Sequence, residues 1–433
     1  MKTVSNNLTS NPYRIRKPSH LRATPQFTAI DLFSGAGGLT LGLSNAGFNV
    51  LMCADFDKAC ELTHRRNFPA IPFIQTDIAK LSGRAILKET GLTRGKLNLL
   101  IGGPPCQGFS IIGQRELWDP RNGLFYEFLR IAGELAPECV VIENVTGLAT
   151  LGKGAVLQEI GSAFEVAGYN VDCAELLAAQ YGVPQMRWRM FFIGWRKDLK
   201  RRGGFPVPTH GTTSIGDLVP NRTISVADSA GFVTIRDAIG DLSKIDAGEV
   251  GTSYRHAPHG DYQIAMREGA PLELANHYAA RLSEQNMARL RALKPGQDWR
   301  SLPHELLPAG MQRAHRKDHT RRYRRMQWDG IARSIITRFR DPKSGEYTHP
   351  EQHRTISIRE AARIQSFPDW FTFEGSVSQQ YDQVGNAVPP LLARAVAREL
   401  RIMLKGRQQA PRLPVKSRYR IPPTIEASLA AAE

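Results

Sequence analysis

Cysteine is scarce in this chain of 433 residues: Cys53, Cys60, Cys106, Cys139 and Cys173 are all there are, and none forms a C-x-x-C pair. That spacing argues against a disulfide framework, and with no histidine cluster beside it no metal centre is expected. No apolar run reaches membrane-spanning length, and Lys2, Arg14, Arg16 and Lys17 flank polar residues where a signal peptide would need a hydrophobic stretch. A cytoplasmic protein without membrane or metal is therefore expected. Acid is also in short supply, 41 Asp and Glu against 57 Lys and Arg, for a net charge of +16. The deficit is uneven. Residues 1–26 hold five basic residues and no acid, 195–330 hold 22 against 15, and 405–433 hold six against two. The remaining body balances at 24 of each sign. A neutral body with basic appendages suits a polyanion, because Lys and Arg neutralise phosphates and release condensed counterions. The densest run, Arg313, Arg316, Lys317, Arg321, Arg322, Arg324 and Arg325, has Asp318 as its only acid and Tyr323 among its arginines. Nucleic acid is the expected partner.

The most informative segment is Gly102-Gly103-Pro104-Pro105-Cys106-Gln107-Gly108-Phe109-Ser110, which follows the apolar run Leu97–Ile101. Two prolines fix φ just before the cysteine, and the flanking glycines permit a sharp turn or close approach to a ligand. A packing cysteine needs neither, so a positioned nucleophile is favoured over an unusual turn. The other four cysteines lie in apolar strand-like or helical surroundings and read as inert.

The first half alternates strand-like segments (27–33, 49–54, 71–74, 97–101, 138–142, 170–176, 190–195) with helical ones (37–46, 57–67, 124–136, 155–166). This rhythm predicts an α/β fold with a mostly parallel sheet and helices on both faces, whose ligands bind at the carboxyl ends of the strands. The first strand ends in Asp31-Leu32-Phe33-Ser34-Gly35-Ala36-Gly37-Gly38, a glycine-rich turn without the G-x-G-x-x-G spacing of dinucleotide sites. Asp55 ends the second strand, where an acid can accept from ribose hydroxyls, and Asp77 follows the third, in reach of an adenine amino group. Each acid alone reads as a helix cap; together these loops predict a nucleoside cofactor. Glu143 ends a further strand, and beside a thiol it becomes a candidate proton donor if burial raises its pKa. In Gln185-Met186-Arg187-Trp188-Arg189 the two arginines fall on one side at period two, able to hold a carboxylate, phosphate or carbonyl. Residues 200–330 lose the rhythm and read as an irregular second domain. Ser357 is placed to cap a helix from Ile358, and residues after Asn386 form an amphipathic helix that folds back on the first half.

In this order the motifs Asp31–Leu39, Asp55, Asp77, Gly103–Ser110, Glu143-Asn144-Val145, Gln185–Arg189, Arg354–Asp369 and Gln383–Val388 resemble the cytosine-5 DNA methyltransferases dependent on S-adenosylmethionine. The resemblance covers roughly 27–195 and 331–404, with 200–330 matching only in position, as the variable target-recognition region. It implies a Rossmann-like methyltransferase sheet with a smaller irregular recognition domain. The implied organisation is a flexible basic arm (1–26), a catalytic and cofactor domain (27–200), a recognition region (201–353), a return to the catalytic domain (354–404) and a basic, disordered tail (405–433). It also implies that Cys106 attacks carbon-6 of a flipped-out cytosine, that Glu143 protonates or hydrogen-bonds ring nitrogen-3, and that Arg189 holds the exocyclic oxygen, supported by Arg187 and Gln185. Carbon-5 then takes the methyl group, and β-elimination releases the enzyme. Phe33, Gly35, Gly37, Asp55, Asp77, Pro105 and Asn386 are the implied cofactor residues; Asp55 stands where relatives commonly carry Glu. Gln107, Ser110, Gln185, Arg313, Arg321, Arg322, Arg324 and Arg325 are the expected DNA contacts. A monomer acting on double-stranded DNA is implied, with a cognate restriction endonuclease as a possible partner. A nicotinamide-linked oxidoreductase shares the alternating sheet but leaves the Pro-Cys segment unexplained. A transfer-RNA methyltransferase of the same family carries a Cys-Phe-Thr element in the recognition region, and residues 195–330 contain no cysteine. A catalytically silent DNA-binding regulator has no use for Cys106, Glu143 and Arg189 together.

Overall fold

The computed structural model describes residues 11–20, 27–105, 123–146, 155–201, 204–211, 231–313 and 321–406. Cys106, Gln107 and Ser110 lie outside them, as do the expected tail from 407 and residues 1–10 and 21–26 of the expected arm. The described chain groups into two compact units. One, the sheet unit, takes its residues from Pro18–Leu177, Trp188–Val207 and Leu392 onward; the other, the arginine-rich unit, takes them from the segment ending at Lys17, Ala178–Arg187 and Pro208–Leu391.

The sheet unit is built on seven strands. β1 (Phe27–Leu32), β2 (Phe48–Asp55), β3 (Phe73–Gln75), β4 (Leu99–Gly102) and β5 (Cys139–Asn144) run parallel in the order β3-β2-β1-β4-β5. Beyond β5 lies β8 (Trp188–Arg196), antiparallel to β5 and to the edge strand β6 (Tyr169–Leu177). Strands β1, β4 and β5 are apolar almost throughout because both faces of the sheet are covered. α1 (Gly38–Ala46), α2 (Lys58–Asn67), α3 (Gly83–Thr90), α4 (Gly123–Leu135) and α5 (Ala155–Val166) supply the crossovers. Phe125, Phe128, Leu129, Ala132 and Leu135 make the helical-period stripe that α4 buries against Leu100, Val140 and Ile142. Asp57 caps α2, its carboxylate accepting from Ala59 N at 2.7 Å.

In the arginine-rich unit, β7 (Gln185–Met186) pairs in parallel with β11 (Ala332–Arg333), and β9 (Val250–Gly251) pairs antiparallel with β10 (His277–Tyr278). Its helices are short: α6 (Ile235–Ile239), α7 (Gly260–Arg267), α8 (Glu284–Arg291), α9 (Ala309–Gln312), α10 (Ile358–Ile364) and α11 (Val377–Asn386). The last helix, α12 (Pro390–Leu404), carries the chain into the sheet unit. There it packs so closely on α1 that a Cβ on Gly42 would come within 2.4 Å of Ala393 Cβ, and Arg401 donates to Ala46 O at 2.8 Å.

Besides Ala178–Arg187, which leaves the expected catalytic domain for the arginine-rich unit, two expected boundaries shift. The segment 354–391 groups with the arginine-rich unit, not with the sheet. The reason is α10, whose arginines are entirely buried there. Arg354 pairs with Glu360, Arg359 donates to the carbonyls of Ala275 and Phe371, and Arg363 bridges Asp241 and Asp369. Ser357 caps this helix in a reciprocal box with Glu360. The second shift concerns the arm expected to be flexible. Residues 11–17 of it are packed into the same unit: Ile15 is buried, its carbonyl accepts from Trp370 Nε1, Tyr13 meets His210, and Arg14 pairs with Glu268.

Candidate active site

At the carboxyl ends of the parallel strands the chain changes conformation abruptly. Phe33 is left-handed at φ 56°, as are Gly35 at 52° and Gly37 at 94°. A non-glycine residue held there is strained by about 1–2 kcal/mol and persists only where its surroundings dictate it. Gly37 needs its missing side chain, because a Cβ would lie 2.6 Å from the Phe68 ring. Gly35 is the opposite case: a Cβ there would meet nothing within 4 Å, so the loop backbone faces open space.

Asp55 ties this loop to the second strand. Its carboxylate accepts from Gly35 N at 2.9 Å and from Asp57 N at 3.0 Å. Burial pushes its pKa up, with the two backbone donors opposing the rise. Thr76 N donates to Asp55 O at 2.9 Å, which brings the third loop alongside, and Asp77 is exposed there, capping the turn 78–80 through Ala79 N. One residue that sequence reasoning passed over belongs in this group. Phe56 follows Asp55 directly and is 70 % exposed, and Gln75 Nε2 donates to its carbonyl at 2.8 Å. The signal was available as an aromatic placed immediately after a strand-end acid. Below the loop, burial raises the Asp31 pKa to about 7, and the Thr40 hydroxyl donates to it at 2.7 Å.

Open space over Gly35, an exposed aromatic face and a buried acceptor at the second strand fit an adenosyl ligand.

Glu143 and Arg189 form the second focus. Both are largely buried, and Arg189 Nε lies 2.7 Å from Glu143 Oε1. Burial lowers the Arg189 pKa, against the pull of the Glu143 charge. Glu143 also presses on the segment leading to Cys106, since a Cβ on Gly103 would stand 3.1 Å from Glu143 Oε2. Asn144 Nδ2 donates to Pro104 O at 3.0 Å, and Pro105 is exposed just beyond. Gly103 is therefore a close-approach glycine, and the carboxylate lies against the chain two residues short of Pro105.

Three expected contacts take different roles. Arg187 and Arg189 do not lie on one strand: β7 ends at Met186 and pairs with β11, while β8 begins at Trp188 and pairs with β5 and β6. Arg187 is instead buried, donating to Ile335 O at 2.6 Å, Gly385 O at 3.0 Å and Ala387 O at 3.1 Å. Gln185, expected at the DNA, has no exposed surface. It accepts from Ile335 N and donates to Gln365. Arg325 is 2 % exposed and donates to the carbonyls of Leu290, Leu293, His349 and Gln352, which leaves it structural. Asn386 ends α11 in the arginine-rich unit with its side chain exposed; Arg313, Arg321 and Arg322 are exposed too. Among the described residues there is no group of three potential metal ligands, and no helix is long and apolar enough to cross a membrane.

A mostly parallel sheet, with β8 reversed, a glycine-rich first turn without dinucleotide spacing and an acid ending the second strand, suits an enzyme that binds an adenosyl cofactor such as S-adenosylmethionine. Comparison with known proteins narrows this. Residues 27–401 match the model of the C-5 cytosine-specific DNA methylases. The chain is 37 % identical to the type II methyltransferase M1.HphI of Haemophilus parahaemolyticus, covering 86 % of this chain and 85 % of that one. It is 33 % identical to M.AgeI of Thalassovita gelatinovora, over 87 % and 99 %. The fold matches an Escherichia coli prophage protein, assigned as a DNA modification methyltransferase, at 26 % identity and a TM-score of 0.64, over 88 % and 100 % of the two chains. The chain belongs to the C-5 cytosine-specific DNA methylases, enzymes that use S-adenosylmethionine as methyl donor.

Proposed function

We propose that this enzyme methylates one cytosine within a defined duplex sequence, with Cys106, Glu143 and Arg189 as its reacting groups. The observation that carries the assignment is the buried Glu143–Arg189 pair set against Gly103 and Pro104. In water-poor surroundings an acid beside a fixed guanidinium can serve a ring that gains negative charge at nitrogen-3 and at its exocyclic oxygen. The Cys106 thiolate adds to carbon-6, Glu143 delivers a proton or hydrogen bond to nitrogen-3, and Arg189 steadies the oxygen while keeping Glu143 oriented. Carbon-5 thereby gains the electron density that an aromatic cytosine lacks. S-adenosylmethionine, when bound, supplies an electrophilic methyl group on its sulfonium. Phe56 offers a face for its adenine, Asp55 accepts from its ribose and Asp77 from its amino group. Removal of the carbon-5 proton then expels Cys106. Because carbon-6 is enclosed in a base-paired stack, the cytosine leaves the helix first, at a cost of about a few kcal/mol.

The similarity to type II methyltransferases extends the reading: the protein protects host DNA from a companion endonuclease of the same specificity. Duplex DNA containing 5-fluorocytosine tests the chemistry, because a fluorine at carbon-5 cannot leave as a proton does. Wild-type protein with cofactor is expected to form an adduct that survives denaturation, and Cys106→Ala to form none. An adduct with Cys106→Ala overturns the nucleophile. Trapping on transfer RNA but on no DNA overturns the substrate.

A further inference from the structure

The run Arg321-Arg322-Tyr323-Arg324-Arg325 is sorted by the fold into anchors and presented groups. Residues 322 and 323 make a turn closed by Arg324 N donating to Arg321 O, and the segment is bonded to neighbouring chain on both sides. Trp299 N donates to Arg322 O, Arg325 N to Gln297 O, and Met326 N to Thr348 O. Tyr323 and Arg325 point inward. Tyr323 sits in an apolar cluster with Leu290, Leu293, Trp299 and Leu302, and its φ of 59° is a strained conformation held by that burial. Arg324, between these two buried residues, keeps about a fifth of its side chain at the surface.

There Arg324 is held from behind. Its Nε lies 3.2 Å from Glu346 Oε2, and its Nη1 lies 3.8 Å from Asp298 Oδ2. Arg321 Nη1 reaches the same Glu346 oxygen at 3.3 Å, Arg333 Nε approaches it at 4.0 Å, and Arg300 clasps Asp298 at 2.6 Å. Both carboxylates are buried while the guanidinium groups reach the surface. Four arginines against two acids leave a surplus of two positive charges in one patch. Burial and the nearness of Arg321 and Arg324 lower the Arg333 pKa in spite of Glu346. As a stabilising device this is poor, because like charges repel and partly exposed pairs contribute about 1 kcal/mol or less. As a reading device it is sound. A guanidinium held by charge between two buried carboxylates has a restricted orientation, and its outward N–H groups can match the O6 and N7 acceptors of guanine at a reduced ordering cost.

We propose that Arg324 is a base-reading residue of the recognition surface and that Glu346 is its positioning residue, with Arg321 and Arg333 flanking it. The proposal rests on the assignment of the chain as a DNA methyltransferase.

The test uses full-length protein, a library of duplexes with every base pair around the methylated cytosine varied, and bisulfite sequencing. Wild type defines the site. Arg324→Ala is expected to lose about ten- to a hundredfold in kcat/KM on that site and to stop discriminating at a single base pair. Arg324→Lys, which keeps the charge but not the fork, is expected to show the same relaxed position. Glu346→Gln is expected to relax it in part. Melting temperature and cofactor affinity, measured for each variant, separate these effects from misfolding. Should Arg324→Ala misfold, Arg324→Lys and Glu346→Gln carry the test. If the folded variants keep the wild-type site preference, with only a uniform loss of binding and a shallower salt dependence, Arg324 contacts phosphate and the proposal is overturned. If wild-type protein leaves no 5-methylcytosine in any duplex, the functional assignment fails and this inference falls with it.

Discussion

Arg363 offers a quantitative test of how the arginine-rich unit is held together. Its guanidinium has no exposed surface and faces two carboxylates equally enclosed. Nε and Nη2 donate to Asp369 at 2.8 and 2.6 Å, and Nη1 donates to Asp241 and to Ala238 O. Substituting Met removes the cation with little loss of volume and leaves both acids buried. Asp241 then keeps Arg267 at 3.3 Å, and Asp369 keeps the Tyr254 hydroxyl at 2.9 Å with Arg359 at 4.0 Å. Breaking a buried pair from one side costs about 3–5 kcal/mol, mainly because an uncompensated charge remains. The pH dependence sharpens the prediction. In the wild type, burial is the largest single influence and would raise the Asp369 pKa, but the Arg363 charge and hydrogen bonds, with Arg359 and the Tyr254 hydroxyl, together outweigh it and the net direction is downward. Asp369 therefore stabilises the native state above the unfolded carboxylate pKa, and that contribution is lost as pH falls through the lower folded value. Without Arg363 the shift reverses: the folded carboxyl prefers its proton, so the variant weakens as pH rises. The stability gap between the proteins should be largest near pH 8 and narrow towards pH 5. Urea unfolding followed by tryptophan fluorescence at several pH values measures it, Trp299, Trp328 and Trp370 all lying in this unit. Arg363→Met combined with Asp241→Asn and Asp369→Asn should recover most of the loss. A deficit below about 1 kcal/mol at pH 8, or one that does not change with pH, refutes the reasoning.

Four other outcomes are expected. Gly42→Ala forces a methyl group into the α1–α12 contact and should destabilise by about 1–3 kcal/mol, read as a fall in melting temperature. Asp31→Asn removes a carboxyl whose folded pKa is raised to about 7; the wild type is increasingly destabilised as pH rises from the unfolded value through 7, so the variant should gain relative stability over that range, by up to about 4 kcal/mol in a series of melting curves. Phe56→Ala should weaken S-adenosylmethionine binding about tenfold by calorimetry without shifting the melting temperature. Alkylation of native protein at pH 7.5, mapped by mass spectrometry, should spare Cys53, Cys60, Cys139 and Cys173, whose thiol pKa values are all raised by burial, and fall on Cys106 alone.

The sheet unit was legible because its signals are local. Each of the seven expected strands lies within a residue or two of an observed one, since unbroken apolar runs bounded by glycine or acid leave few alternatives. The same holds for the turns at the strand ends: Phe33, Gly35 and Asp77 follow strands, and Asp55 ends one. Helix α10 could also be placed, because Ser357 and Glu360 make a capping box three residues apart. What stayed hidden depends on distant partners. Period two places Arg187 beside Arg189 only if one strand runs through both, and nothing near Arg187 signals that β7 pairs with Ala332, almost 150 residues on. The helix of residues 358–364 was visible, but its unit was not, because Asp241, Ala275 and Phe371 decide it.

Charge shows the same division and changes how the composition should be read. The basic excess of residues 195–330 suggests a broad polyanion surface, and each arginine counts equally in that sum. The fold does not treat them equally. Arg325 satisfies backbone carbonyls inside the unit, and just outside that window Arg354, Arg359 and Arg363 do the same or pair with buried acids. None of these four can neutralise a phosphate without unfolding its surroundings. Arg321, Arg324 and Arg333 keep surface, yet Glu346 already offsets part of their charge. The number of phosphates this protein engages, and hence the slope of its affinity against salt, is therefore smaller than its arginine count implies.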